Sequence, residues 1–211
     1  MRSRYRYFTL YLLASIWLTS LSSNTLAQMD IDALELPLLS ETGQLTTIND
    51  FKAPLRLVFF GFTYCPDICP LTLYKIGGAL RSLELPAESI DVLFISVDPK
   101  RDTPEVLTQY TDAFHENIIG LSGTISQLES LMLKFRTHFG YNLLTEAGEE
   151  PIPLENYTSL SSDENYTPYH SSQIYLLNQH GEIVDLIGHG SDPKLIIQTI
   201  SKAIEPLIET L

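Results

Sequence analysis

LRLVFFGFTYCPDICPLTL, residues 55–73, decides the fold. LRLVFFGF (55–62) is an apolar run of strand length without the alternation of a half-exposed strand, so it reads as a strand buried on both faces. After a short loop, PLTLYKIGGALRSL places Leu73, Ile76, Leu80 and Leu83 at helical spacing, although Gly77 and Gly78 weaken that helix. Buried strand, loop, helix is the opening of a β-α-β unit, and the loop holds Cys65 and Cys69, the only two cysteines of the chain.

The flanking sequence extends this pattern. VLFISV (92–97) is a second buried strand. RDTPEVLTQYTDAF then starts a helix, with Asp102 or Thr103 as cap and Pro104 in the first turn. IIGLSG suggests a short strand, and ISQLESLMLKFRTHFG a helix carrying Leu128, Leu131, Met132, Phe135 and Phe139 on one stripe to Gly140. Upstream, ELPLLSETGQLTTINDF reads as a β-hairpin. Residues 145–168 are acidic and proline-containing and read as a long inserted loop. QIYLLN (173–178) and EIVDLIG (182–188) form a late hairpin, and a last helix starts at Asp192-Pro193 and is disturbed at Pro206. The order predicts one α/β sheet flanked by helices on both faces, with the site at the carboxyl ends of its strands, where the cysteines sit.

The chain has 211 residues, enough for one packed domain. Its first 27 residues follow the grammar of a secretory signal: Arg2, Arg4 and Arg6, then the apolar FTLYLLASIWLTSL, then small residues to Ala27. The expected division is a signal peptide at 1–27, cleaved after Ala27, and a single domain at 28–211. An uncleaved segment would instead anchor the chain, but the apolar run is short for a span. Cleavage removes three arginines and no acid, which takes the net charge from −13 to −16. Such a surface argues against nucleic acid and anionic membranes as partners.

In an oxidising compartment an isolated cysteine pair is bridged, enzymatically kept reduced, or protected by a metal. If residues 65–69 enter the first helical turn, the two Cα atoms stand about 6 Å apart on one face, close enough for a disulfide or a shared ion. The helix start favours thiolate over thiol. A plain stabilising bridge is a weaker reading, because so short a loop restrains little unfolded-chain entropy. Two thiolates need a further donor to hold a metal. His115, His138, His180 and His189 fall at expected helix ends or in turns. His170 stands directly before the apolar strand QIYLLN, where the irregular segment could bring it to the cysteines. Two thiolates and one imidazole suit Cu(I), or Cu(II) with an added donor, better than a structural zinc, which prefers a fourth protein ligand.

The blocks FFGFTYCPDICPLTL, VLFISVDPKRDTPEVL and HSSQIYLLNQHGEIV resemble the Sco/SenC family of copper-binding, thioredoxin-fold proteins, over nearly all of residues 34–205. The resemblance implies a thioredoxin-like (peroxiredoxin-like) α/β fold and an exported, periplasmic domain. It implies copper bound by Cys65, Cys69 and His170, with Asp98, Arg101 and Asp102 of the DPxRD segment supporting the site. It also implies a copper acceptor such as cytochrome c oxidase subunit II, at whose dinuclear copper site such proteins act as copper donors, as thiol–disulfide reductases, or as both. Thioredoxin-like reductants are further possible partners. The chain departs from the family at Tyr169, where an aspartate is usual before the histidine, and at Pro168. Two functions follow: a metallochaperone, or a thiol–disulfide oxidoreductase whose redox-active pair is Cys65 and Cys69. Peroxide reduction is weaker, since Cys65 follows Thr63-Tyr64 and not a threonine-proline pair. His170 separates the first two, because only the copper site needs it.

Overall fold

The computed structural model describes residues 32–208; the expected signal segment lies outside them. Strand β3 (Leu55–Gly61) is buried at every position, as its lack of alternation requires. It pairs in parallel with β4 (Ile90–Ser96), from Leu55↔Ile90 to Gly61↔Ser96, and antiparallel with β9 (Gln173–Asn178). β4 pairs in parallel with β5 (Ile118–Ser122). The early hairpin, β1 (Leu38–Ser40) and β2 (Leu45–Thr46), closes one edge, and β10 (Ile183–Gly188) the other. The strand order is β10-β9-β3-β4-β5-β1-β2. The one polar side chain of β3, Arg56, is only 1% exposed and donates to the carbonyls of Ile48 and Asn178, far from the cysteine end of the strand.

Helices α1 (Ile68–Leu83), α2 (Pro104–Thr111), α3 (Ile125–Lys134) and α5 (Pro193–Ile208) flank this sheet. α1 packs with α5, and α2 lies against β5. Thr103 caps α2, its hydroxyl accepting the Val106 amide, with Pro104 in the first turn as expected. Among the described residues no helix is long and apolar enough to cross a membrane.

Four expectations need correction. α1 begins at Ile68, so Cys65 precedes the helix and does not share its first turn with Cys69. α3 stops at Lys134 and not at Gly140. Thr137 donates to the Met132 carbonyl and Arg136 to that of Leu133, with Arg136 at φ 50°. That is a Schellman stop with arginine in the left-handed position where glycine is the usual signal, so the stop was hidden. Phe139 belongs to β6 (Phe139–Thr145), and His138 links helix to strand.

Residues 145–168 are not a loop. They contain β7 (Gly148–Ile152), the single turn α4 (Leu154–Tyr157) and the start of β8 (Tyr166–His170). With β6 they form a separate three-stranded sheet of order β7-β6-β8. β7 is almost wholly exposed, so it has no apolar alternation to betray it. Finally, Pro206 is accommodated inside α5, which continues to Ile208.

Candidate metal and redox site

β3 and β4 end side by side, and the chain leaves β3 through a tight turn in which the Cys65 amide donates to the Phe62 carbonyl at 3.2 Å. Asp67 occupies the N-cap of α1 but makes no side-chain cap bond. Cys65 Sγ does that work, accepting the Cys69 amide at 3.4 Å. The sulfur therefore sits at the positive end of the helix although its residue lies outside it. Cys69 is fully buried beneath Gly61, where an added Cβ would stand 2.5 Å from the Phe94 ring and 3.0 Å from the Cys69 sulfur. Glycine at 61 leaves that sulfur its room. Both cysteines are free thiols, with Cys65 half-buried.

His170, the last residue of β8, brings Nε2 to 3.5 Å from Cys69 Sγ. Its Nδ1 lies 2.9 Å from the Ser171 carbonyl. A carbonyl only accepts, so that bond puts the ring proton on Nδ1 and leaves the Nε2 lone pair facing sulfur. The rings of Phe59 and Phe62 meet the imidazole edge-on, at 6.1 and 5.9 Å between centroids, and fix its plane.

The two thiols divide their roles. Cys65 is pulled down to about 4, chiefly by the hydrogen bond from the Cys69 thiol, helped by the Asp67 and Cys69 amides, and against burial. Cys69 is pushed up by giving that hydrogen bond and by burial. Cys65 is the accessible thiolate and Cys69 the protonated partner behind it.

The sequence-predicted residues fall into two shells. Cys65, Cys69 and His170 converge. Asp98, Arg101 and Asp102 do not reach the sulfurs but hold the walls. Asp102, 1% exposed, accepts the Thr63 amide (3.1 Å), the Thr63 hydroxyl (2.6 Å) and the Ser96 hydroxyl (2.6 Å), which ties the cysteine loop to β4. Burial raises its carboxyl to about 6 despite these donors. Asp98 is fully buried and pairs with Arg101. Sequence reading missed Thr63, Ser96, Tyr157 and Tyr166, whose polar atoms meet these two carboxylates. Two tyrosines in an otherwise acidic segment were the only available signal for the last pair. The other histidines bond elsewhere: His115 Nδ1 accepts the Asn117 amide, His138 meets Ser171, His180 meets Gln179 and His189 meets Ser172.

Two donors sharing one ion, with about 2.3 Å to sulfur and about 2.0 Å to nitrogen, stand roughly 3.5 Å apart at tetrahedral angles. The Cys69–His170 separation meets that requirement. Among the described residues no group of three His, Cys, Asp or Glu side chains is drawn up to ligand spacing, so a third donor such as Cys65 would have to move to close a metal site here. The same three groups also permit thiol–disulfide exchange, since a thiolate with a protonated thiol behind it is both attacking and resolving sulfur.

The family model described as SCO1/SenC matches residues 33–205. The SCO2-like protein RP587 of Rickettsia prowazekii is 35% identical over 144 residues, which are 68% of this chain and 63% of that protein. Protein SenC of Rhodobacter capsulatus is 31% identical over 170 residues, covering 81% of this chain and 69% of the relative. Among solved structures, yeast Sco1 with copper bound aligns with TM-score 0.66 and 30% identity over 82% of this chain and 88% of that one. Arabidopsis thaliana ScoI with copper bound also gives TM-score 0.66, at 27% identity over 82% and 99% of the two chains. The fold is thus the thioredoxin-like one of those structures, and with a family model covering most of its length the chain belongs to the SCO1/SenC family.

Proposed function

We propose that this protein is a copper-binding chaperone of the cell envelope, which takes copper on Cys65, Cys69 and His170 and delivers it to the dinuclear copper site of cytochrome c oxidase. The observation that carries this reading is His170: its Nε2 stands 3.5 Å from Cys69 Sγ with Nδ1 turned to a carbonyl, a geometry dithiol chemistry does not need. Copper is cargo here. The half-buried Cys65 thiolate would let an acceptor's thiolates replace ligands one at a time, without releasing a free ion. The acceptor would be a protein such as subunit II of the oxidase. The likeness to copper-bound relatives supports the metal, and the signal-like N-terminal sequence supports an exported, periplasmic site of action.

The division of the thiols favours a second role at the same site. The Cys65 thiolate attacks a disulfide of the partner and forms a mixed disulfide, and the departing partner sulfur takes a proton. The Cys69 thiol then loses its proton and attacks Cys65 Sγ, releasing the second partner thiol and leaving a Cys65–Cys69 disulfide, so that two electrons pass to the partner. Thioredoxin-like reductants would return the pair to dithiol.

Titration of the reduced chain with Cu(I) against a chromophoric chelator tests the primary reading. One equivalent binds tightly, and His170→Ala weakens binding by one to two orders of magnitude, as loss of a ligand should. Unchanged binding in His170→Ala would remove histidine from the site and leave the reductase role alone.

A further inference from the structure

The segment that reads as a loop in sequence ends in the strand bearing His170, and its polar ties to the main sheet gather at residues 98–101. Tyr157 on α4 and Tyr166 at the start of β8 both donate their hydroxyls to Oδ1 of Asp98, at 2.9 and 2.6 Å. The other oxygen of this buried carboxylate takes Arg101 Nε. The Arg101 guanidinium lies over the Tyr166 ring, 3.9 Å from its centroid, and donates Nη1 to the Tyr166 carbonyl at 3.2 Å. The Tyr157 ring stacks on Tyr141 of β6 at 3.9 Å, and Lys100 Nζ donates to the carbonyls of Thr158 and Leu160.

β8 needs such help. It is an edge strand of a three-stranded sheet, paired only with β6, and sheets this small hold their shape poorly unaided. Strand alternation puts Tyr166, Pro168 and His170 on one face, and the first two are buried. Fixing Tyr166 therefore fixes the direction in which His170 points, one short strand away. The same loop, 98–102, ends in Asp102, which grips Thr63 two residues before Cys65. Two buried carboxylates four residues apart thus hold the two segments that carry the donors.

We propose that Tyr157 and Tyr166 are positioning residues for His170: through Asp98 the inserted segment acts as a brace that sets the distance between imidazole and sulfurs. This rests on the reading of Cys65, Cys69 and His170 as the copper site. Groups behind a metal ligand typically contribute 10–100-fold to affinity by holding it in orientation.

The test is a double-mutant cycle on Cu(I) affinity in the full chain, with Tyr166→Phe, His170→Ala and the two combined. Tyr166→Phe alone weakens Cu(I) about tenfold, and in the His170→Ala background it has no further effect. Unchanged affinity in Tyr166→Phe overturns the brace. So does an equal loss with and without His170, which would mean general loosening of the fold. Should Tyr166→Phe fail to fold, Tyr157→Phe, which keeps the ring stacked on Tyr141, carries the same cycle and the same outcomes. If His170→Ala itself leaves binding intact, the copper-site reading fails and not the brace alone.

Discussion

Cys65 and Cys69 differ by four positions and by almost every physical property that matters. One is half-exposed and caps a helix; the other is sealed under Gly61 and Phe94. A single proton shared between them then sits on Cys69, since the buried sulfur is the costlier place for a charge. The consequence is measurable by alkylation. Cys65 reacts as a thiolate at near-constant rate from about pH 6 to 8, where an ordinary thiol near 8.5 would accelerate steeply. Cys69→Ala removes the chief hydrogen bond and shifts that profile upward, whereas Cys69→Ser keeps a donor and shifts it less. Identical profiles for the two variants would show that the Cys69 proton is not what lowers Cys65. None of this asymmetry was visible in the spacing, which set both sulfurs on one face only if residues 65–69 entered the first helical turn.

At the scale of elements, the segment 98–102 does more than link β4 to α2. Its two acids are buried, but Asp98 is matched by a guanidinium and two hydroxyls, while Asp102 has only neutral donors. Burial, answered only by neutral donors, therefore raises the Asp102 carboxyl from its ordinary 3.8 to about 6. A carboxyl whose folded pKa is raised binds its proton more tightly in the folded state. Its contribution to stability is greatest below pH 4 and is lost as pH rises through 6. The change is roughly 3 kcal/mol. Urea unfolding from pH 4 to 7 should show that fall in wild type and lose it in Asp102→Asn; parallel curves would mean the carboxyl is ionised throughout. Strand β3, helix α2 and the late hairpin were legible because burial or capping writes itself into residue type. The end of α3 was not, since Arg136 takes a conformation normally marked by glycine. Nor was the small sheet, because β7 faces solvent and its anchors, Tyr157 and Tyr166, act through single hydroxyls on a distant loop.

The molecule as a whole joins a buried, two-faced sheet, readable from a few apolar runs, to a small sheet with one exposed strand that no periodicity announces. Cys65, Cys69 and His170 could be singled out as residues, but their meeting point could not, because His170 reaches Cys69 only through the small sheet. Net charge adds a property that belongs to no element. At −13 over 211 residues the surface favours encounter with a basic face, so on the proposed function copper transfer to such an acceptor would slow as salt rises from about 0.02 to 0.5 M. A rate independent of salt would place the acceptor's recognition in apolar contact instead. The sealed position of Cys69 has a last consequence, for the order of events. A visiting sulfur finds Cys65 first, whether it comes to take an ion or to give up a disulfide, and it meets Cys69 only after that first bond has been exchanged. Traffic through this site runs by a single door, with Cys65 as its threshold and Cys69 as the lock that opens last.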